Sequence, residues 1–167
     1  MQITLNNFNQ FYKKITKGFN YRLFLFIKLP MAWLSGMQLK TLTTQECVIG
    51  LKYKWINTNP FKSMYFAVQA MAAEMSTGLL ASAFIYNNQP GISMLVVHTS
   101  SNYTKTVKGK VRFVCKDGAL IQQAVEKAIA TGESQTATVN SNGILENGEI
   151  ASTFSITWSF KVKGIRV

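Results

Sequence analysis

The stretch NPFKSMYFAVQAMAAEMSTGLLASAF, residues 59–84, decides the fold. Asn59-Pro60 opens it as a turn, because proline drives the residue before it out of the helical region. Ser63 then stands where an N-cap belongs, and the spacing predicts a helix over 63–84. That helix is apolar on nearly every side, and such a helix is stable only when it is covered all round. At its middle, between Ala73 and Met75, sits Glu74, and no Lys or Arg occurs between Lys62 and Lys105. A buried carboxylate without a local counterion needs a partner from elsewhere, a raised pKa, or a chemical task.

The segments on either side supply the cover. Cys47, Ile49, Leu51, Tyr53 and Trp55 alternate with Val48, Gly50, Lys52 and Lys54, a period of two that reads as a strand. After the break at 87–91, residues 92–97 read as a buried strand continuing in polar form to Tyr103. Val107, Gly109, Val111, Phe113 and Cys115 alternate with a largely cationic set. Asp117 is placed to cap a second helix, with a stripe of Leu120, Ile121, Ala124, Val125, Ala128 and Ile129 and a stop at Gly132. Two final strands flank Asn147-Gly148, a strong hairpin signal. A single apolar helix in a strand-rich chain must be wrapped by the sheet, so the fold class is α+β with a long central helix inside an antiparallel sheet.

Ahead of this lies a helical, amphipathic segment. Phe8, Phe11, Tyr12, Ile15 and Phe19 recur three and four residues apart, with Lys13, Lys14 and Lys17 mainly on the other side. Pro30 ends or kinks it. The organisation expected is residues 1–35 as an N-terminal segment packed on one domain of residues 36–167. Residues 19–34 are apolar but interrupted by Arg22, Lys28 and Pro30, far short of the ~20 uncharged residues of a membrane span. No small-residue cleavage site follows a clean apolar core. A soluble, cytoplasmic protein is the expectation.

The chain of 167 residues is long enough to bury roughly two-thirds of its unfolded surface. Its composition, 47% hydrophobic and 15% charged, excludes a disordered chain. Eighteen Lys and Arg against seven Asp and Glu give a formal charge of +11, which favours anionic partners: nucleic acid, an acidic membrane face or a phosphorylated ligand such as coenzyme A. A nucleic-acid face would interleave aromatics with bases. Only Phe113 lies among Lys105, Lys108, Lys110, Arg112 and Lys116, and on the opposite side, so nucleic acid is not expected. Cys47 and Cys115 read as two reduced core thiols, and with one histidine, His98, no metal site is expected.

Asn59-Pro60-Phe61-Lys62-Ser63-Met64-Tyr65-Phe66 followed by Ala70-Met71-Ala72-Ala73-Glu74 resembles the hot-dog fold of acyl-thioesterases and dehydratases. Within that superfamily it is most similar to a phenylacetate-type thioesterase-like branch, and the likeness extends loosely over residues 29–162. The family has an Asn before a His-Gly-Gly at the helix start and an acid about two turns later. Asn59 and Glu74 correspond, whereas Tyr65-Phe66-Ala67 stands in place of the His-Gly-Gly.

The resemblance implies a thioester of coenzyme A or of an acyl carrier as substrate, coenzyme A being part of the substrate rather than a cofactor. It also implies a homodimer or dimer of dimers with the site at the subunit interface. It assigns Glu74 as general base or nucleophile and the N–H of Phe66, with Tyr65, as oxyanion donor. Asn59 would hold the carbonyl or the water, and Thr77 would supply an assisting hydroxyl. Each has a plainer reading. Glu74 could be a structural acid, Asn59 an ordinary turn residue, Gln69 a hydrogen-bonding link off the face of Glu74, and His98 a surface residue. Lys108, Lys110 and Arg112 could grip the carrier's phosphates or simply form a solvated sheet face. Beside thioester hydrolysis stand a non-catalytic acyl-binding module on the same fold and a membrane-surface role for the basic, aromatic N-terminal helix.

Overall fold

The computed structural model describes residues 2–17 and 19–164. Three helices lead the chain: α1 (Gln2–Thr16), α2 (Asn20–Lys28) and α3 (Pro30–Ser35). Strands β1 (Gln38–Leu42) and β2 (Cys47–Lys52), a short 3-10 turn (Trp55–Asn57) and the long helix α4 (Phe66–Ile85) follow. Then come β3 (Ile92–Tyr103), β4 (Lys110–Cys115), α5 (Gly118–Thr131), β5 (Gln135–Leu145) and β6 (Ile150–Val162). The six strands form one sheet in the order β1-β2-β4-β5-β6-β3, antiparallel at every pairing.

Helix α4 packs against β2, β4, β5 and β6, while α1 and α5 close on it from other sides. Every residue in 75–81 is buried. That run covers nearly two turns, so no face of the helix is left to solvent there. Its composition is long and apolar enough to cross a membrane, and the same property suits a rod enclosed by protein. Phe84, wholly buried, meets Phe8 of α1 at 5.2 Å between ring centres. In β6, Phe154, Ile156, Trp158 and Phe160 all point inward, the period of two the sequence shows. The β5–β6 hairpin turns at Asn147-Gly148, where Gly148 takes φ +87°.

Three local expectations change. Helix α4 starts at Phe66, not Ser63, because the side-chain oxygen of Asn59 accepts the N–H groups of Phe61 and Ser63 and closes a turn. Met64 then donates its N–H to Val107 and Tyr65 to Asn57, which holds the chain extended until Tyr65. Second, β3 is not a buried strand. It is one of the sheet's two edge strands, with Ile92 alone fully buried and Leu95 and Val97 turned outward. Third, Asp117 does not cap α5; its carboxylate accepts the N–H of Asn140 at 2.7 Å and ties the helix start to β5. Gly118 follows because a Cβ there would come within 2.0 Å of the Thr44 carbonyl oxygen. Of the expected α5 stripe, Ile121, Ala124, Val125 and Ala128 are buried, while Leu120 and Ile129 are exposed. Cys47 and Cys115 face each other across β2 and β4 as unbridged, buried thiols. Burial pushes the Cys115 thiol up to about 11.

Candidate active site

Glu74 opens on a cavity of about 350 Å³. Ala70 and Met71 of α4 form one wall, Phe154 and Ile156 of β6 the second, and Thr99, Ser100 and Ser101 of the β3 edge the third. The chamber therefore has an apolar floor and one hydroxyl-bearing side. Among the described residues nothing donates a hydrogen bond to the Glu74 carboxylate, and no Lys or Arg pairs with it. Burial without a counterion raises its pKa above the ordinary glutamate value. The carboxylate is half-buried, so it is reachable from the cavity.

Gly78, one turn on, makes room for it. A Cβ at that position would lie 3.1 Å from Glu74 Oε1 and 3.2 Å from the Trp158 ring. Trp158 is fixed in turn by donating its indole N–H to Thr77 at 2.9 Å. The Thr77 hydroxyl itself donates to the Glu74 carbonyl oxygen at 2.9 Å. Thr77 is fully buried and both of its roles are taken within the core. It shapes the chamber from behind and does not line it.

The other candidates fall in three places. Phe66 is the first residue of α4, and its N–H meets no acceptor among the described residues. The Tyr65 N–H is taken by the Asn57 carbonyl at 2.8 Å, which leaves Phe66 rather than Tyr65 as a donor at the helix start. Rings join this end to the cavity wall: Tyr65 meets Phe66, Phe66 meets Tyr103, and Tyr103 meets Phe154, at centroid separations of 4.9, 5.9 and 5.6 Å. Asn59 lies in the turn before the helix. Its oxygen accepts two backbone N–H groups and its amide donates to Ser63 Oγ at 3.1 Å, so the turn occupies both ends of the side chain. Lys110 and Arg112 lie elsewhere, in a groove of about 640 Å³ with Lys40, Lys52 and Lys54. Lys110 pairs there with Glu146 at 3.0 Å, and Lys108 lines neither cavity.

Phe66 and Glu74 are eight residues apart, about 12 Å along the helix axis. The Glu74 carboxylate turns toward Gly78, away from the helix start. Within one chain, therefore, the Phe66 N–H and the carboxylate do not converge on one carbonyl group. Gln69 is held by a bond to the Met64 carbonyl at 3.3 Å and by the hydroxyl of Ser152 at 3.0 Å, and links α4 to β6. His98 is exposed in β3. No three His, Cys, Asp or Glu side chains come together as a metal site among the described residues. Sequence reasoning missed Thr99, Ser100 and Ser101 as cavity wall. The signal available was a run of hydroxyls inside a strand that begins apolar.

Solved structures share this architecture over most of the chain. A Pseudomonas aeruginosa protein of unknown function superposes with a TM-score of 0.73 at 17% identity, covering 87% of this chain and 97% of that one. The architecture is the hot-dog fold. A Haemophilus influenzae thioesterase shares it with a TM-score of 0.66 at 13% identity, covering 87% and 92%. A mutant thioesterase from Pseudomonas aeruginosa does so with 0.67 at 12% identity, covering 87% and 95%. No family model and no curated protein matches the chain. At such identities the likeness establishes the hot-dog scaffold. The central helix wrapped by an antiparallel sheet, expected from the sequence, is that scaffold, and the activity must be argued from the site.

Proposed function

We propose that this hot-dog protein hydrolyses an acyl thioester, of coenzyme A or of an acyl carrier, with Glu74 as the catalytic acid–base. The observation that carries the reading is the Glu74 carboxylate, without a partner among the described residues, facing a largely apolar 350 Å³ chamber. The two thioesterase structures that share the fold support it. In the proposed reaction Glu74 takes a proton from water as the water oxygen attacks the thioester carbonyl carbon. The oxyanion that forms rests against a free N–H at a helix start, where the dipole favours negative charge. Collapse breaks the C–S bond, and the Glu74 carboxyl returns its proton to the departing sulfur. Direct attack by Glu74, through an anhydride that water then opens, gives the same products.

A second copy completes this arrangement. The cavity is bounded by the β3 edge, an open strand whose outer N–H and C=O groups are a template for pairing. Two copies joined through β3 would bring another α4 start toward this chamber, supplying the donor that one chain does not place beside its own Glu74. Lysines at Leu95 and Val97, both outward on that edge, should leave a monomer with much weaker turnover. Light scattering checks this, and equal masses for the wild type and L95K/V97K at matched concentration would remove the dimer from the account.

The reading is tested by incubating the protein with acyl-CoAs of graded chain length while following free thiol. Turnover of at least one chain-length class is expected. Tight binding with no thiol release would instead support a non-catalytic acyl-binding module, the reading favoured by bulky Phe66 at the helix start.

A further inference from the structure

Helices α2 and α3 leave an apolar surface uncovered. Leu25 and Ala32 anchor the pair in the core, and the exposed Phe26 and Trp33 rings touch edge to face at 5.2 Å. Around those anchors Phe19, Leu23, Phe26, Ile27, Met31 and Leu34 remain between 48% and 75% exposed. Single exposed apolar residues are ordinary, but a cluster of this kind on one short segment marks an interaction surface. Beside it, between α1 and α2, runs a groove of about 480 Å³ lined by Phe11, Ile15, Leu23, Phe24 and Ile27 among others, with Lys14 and Lys28 also on its lining.

Charge selects the occupant. Residues 1–45 contain Lys13, Lys14, Lys17, Arg22, Lys28 and Lys40 and no Asp or Glu; the first acid in the chain is Glu46. A second copy seated on the same patch would set Arg22 and Lys28 against their own counterparts with no carboxylate on the segment to pair them. An anionic bilayer meets both requirements at once: its acyl region receives the apolar side chains and its phosphates receive the cations. We propose that the α2–α3 face is a docking surface for an anionic lipid bilayer. Phe26 and Ile27 enter the headgroup boundary, and Arg22 and Lys28 contact lipid phosphates. The inference does not depend on the hydrolytic reading, since none of these residues lines the Glu74 chamber.

The test is co-sedimentation of the full chain with vesicles of phosphatidylcholine alone or mixed equally with phosphatidylglycerol. Binding to the mixed vesicles and little to the neutral ones is expected. Arg22→Gln with Lys28→Gln should weaken binding roughly thirtyfold, the factor for two cations at a charged surface. Phe26→Glu with Ile27→Glu should abolish it. Both pairs are solvent-facing, and an unchanged melting temperature and circular dichroism spectrum establish that each variant is folded. Equal binding by F26E/I27E and the wild type, or equal binding to neutral and anionic vesicles, would overturn the proposal. So would absence of vesicle binding together with a self-association that F26E/I27E abolishes, which would assign the face to a second copy.

Discussion

Replacing Glu74 with Gln should reduce thioester turnover by about a hundredfold to ten-thousandfold, the range contributed by a positioned general base. The amide keeps the size of the side chain and its packing beside Gly78 and Trp158 but cannot take a proton from water. The fall should therefore lie in kcat, with the affinity for the acyl group nearly unchanged, because the chamber walls are Ala70, Met71, Phe154 and Ile156 and are untouched. A large rise in KM with kcat preserved would show that residue 74 holds substrate and takes no part in the chemistry.

The titration of Glu74 adds a second signature of the same residue. Burial raises its pKa, and only the ionised form acts as base. The wild type should then gain kcat/KM with rising pH through a midpoint above the ordinary glutamate value, and the residual activity of Glu74→Gln should lack that limb. Stability runs the opposite way. A carboxyl whose pKa is raised in the folded state binds protons more tightly there than in the unfolded chain. Its contribution is fully present below the unfolded pKa and is lost as pH rises through the folded one. At neutral pH, Glu74→Gln should melt higher than the wild type, and the gap should close as the pH falls below the ordinary glutamate range. A functional residue that weakens its own fold is the pattern expected here, and thermal melts across pH measure it.

Phe84→Ala should cost about 4 kcal/mol of stability, as for other fully buried aromatic rings cut back to a methyl group. Phe84 is completely enclosed near the end of α4 and packs against Phe8, so its loss leaves a cavity at the junction between the central helix and α1. For a domain of this size the melting temperature should fall by about 10 °C. Leu120→Ala is the matched control. Leu120 belongs to the apolar stripe of α5 by spacing but is exposed, and its truncation should shift stability by less than about 0.5 kcal/mol. Equal losses at the two positions would mean that the α5 face is covered after all, and denaturant melts of both variants decide it.

The contrast between Phe84 and Leu120 shows what sequence reasoning can and cannot reach. An apolar run with no polar face admits only enclosure, so α4 and its wrapping sheet were legible from residues 59–84 and the alternating segments around them. Asn147-Gly148 was equally legible, since few other backbones suit that pair. The start of α4 was not. It depends on Asn59 closing a turn onto Ser63 and on Val107 and Asn57 holding the next two N–H groups, contacts made across the fold. The place of β3 was hidden for a related reason. A strand of Ile, Leu and Val reads alike in the middle of a sheet and at its edge, and only the strand order shows that β3 is terminal.

At the site, Glu74 announced itself as a carboxylate in an apolar helix. Its neighbours did not, because Thr99, Ser100 and Ser101 approach it from a strand that pairs with β6. Phe66 and Glu74 lie only eight residues apart on one helix, yet the turn of the carboxylate toward Gly78 separates the two. Direction of a side chain along its helix is a property of packing, which spacing does not encode. Lys110 and Arg112, grouped by sequence with the substrate's phosphates, occupy a different groove altogether.

The central claim is that the acyl group comes to Glu74, and a structure of the Glu74→Gln chain with bound acyl-CoA tests it most directly. The account predicts the thioester carbonyl within the chamber bounded by Met71, Ser100 and Phe154, with a water or the carbonyl group itself in hydrogen-bond reach of residue 74. An acyl chain lodged elsewhere, with the Glu74 chamber left unoccupied by ligand, would contradict it.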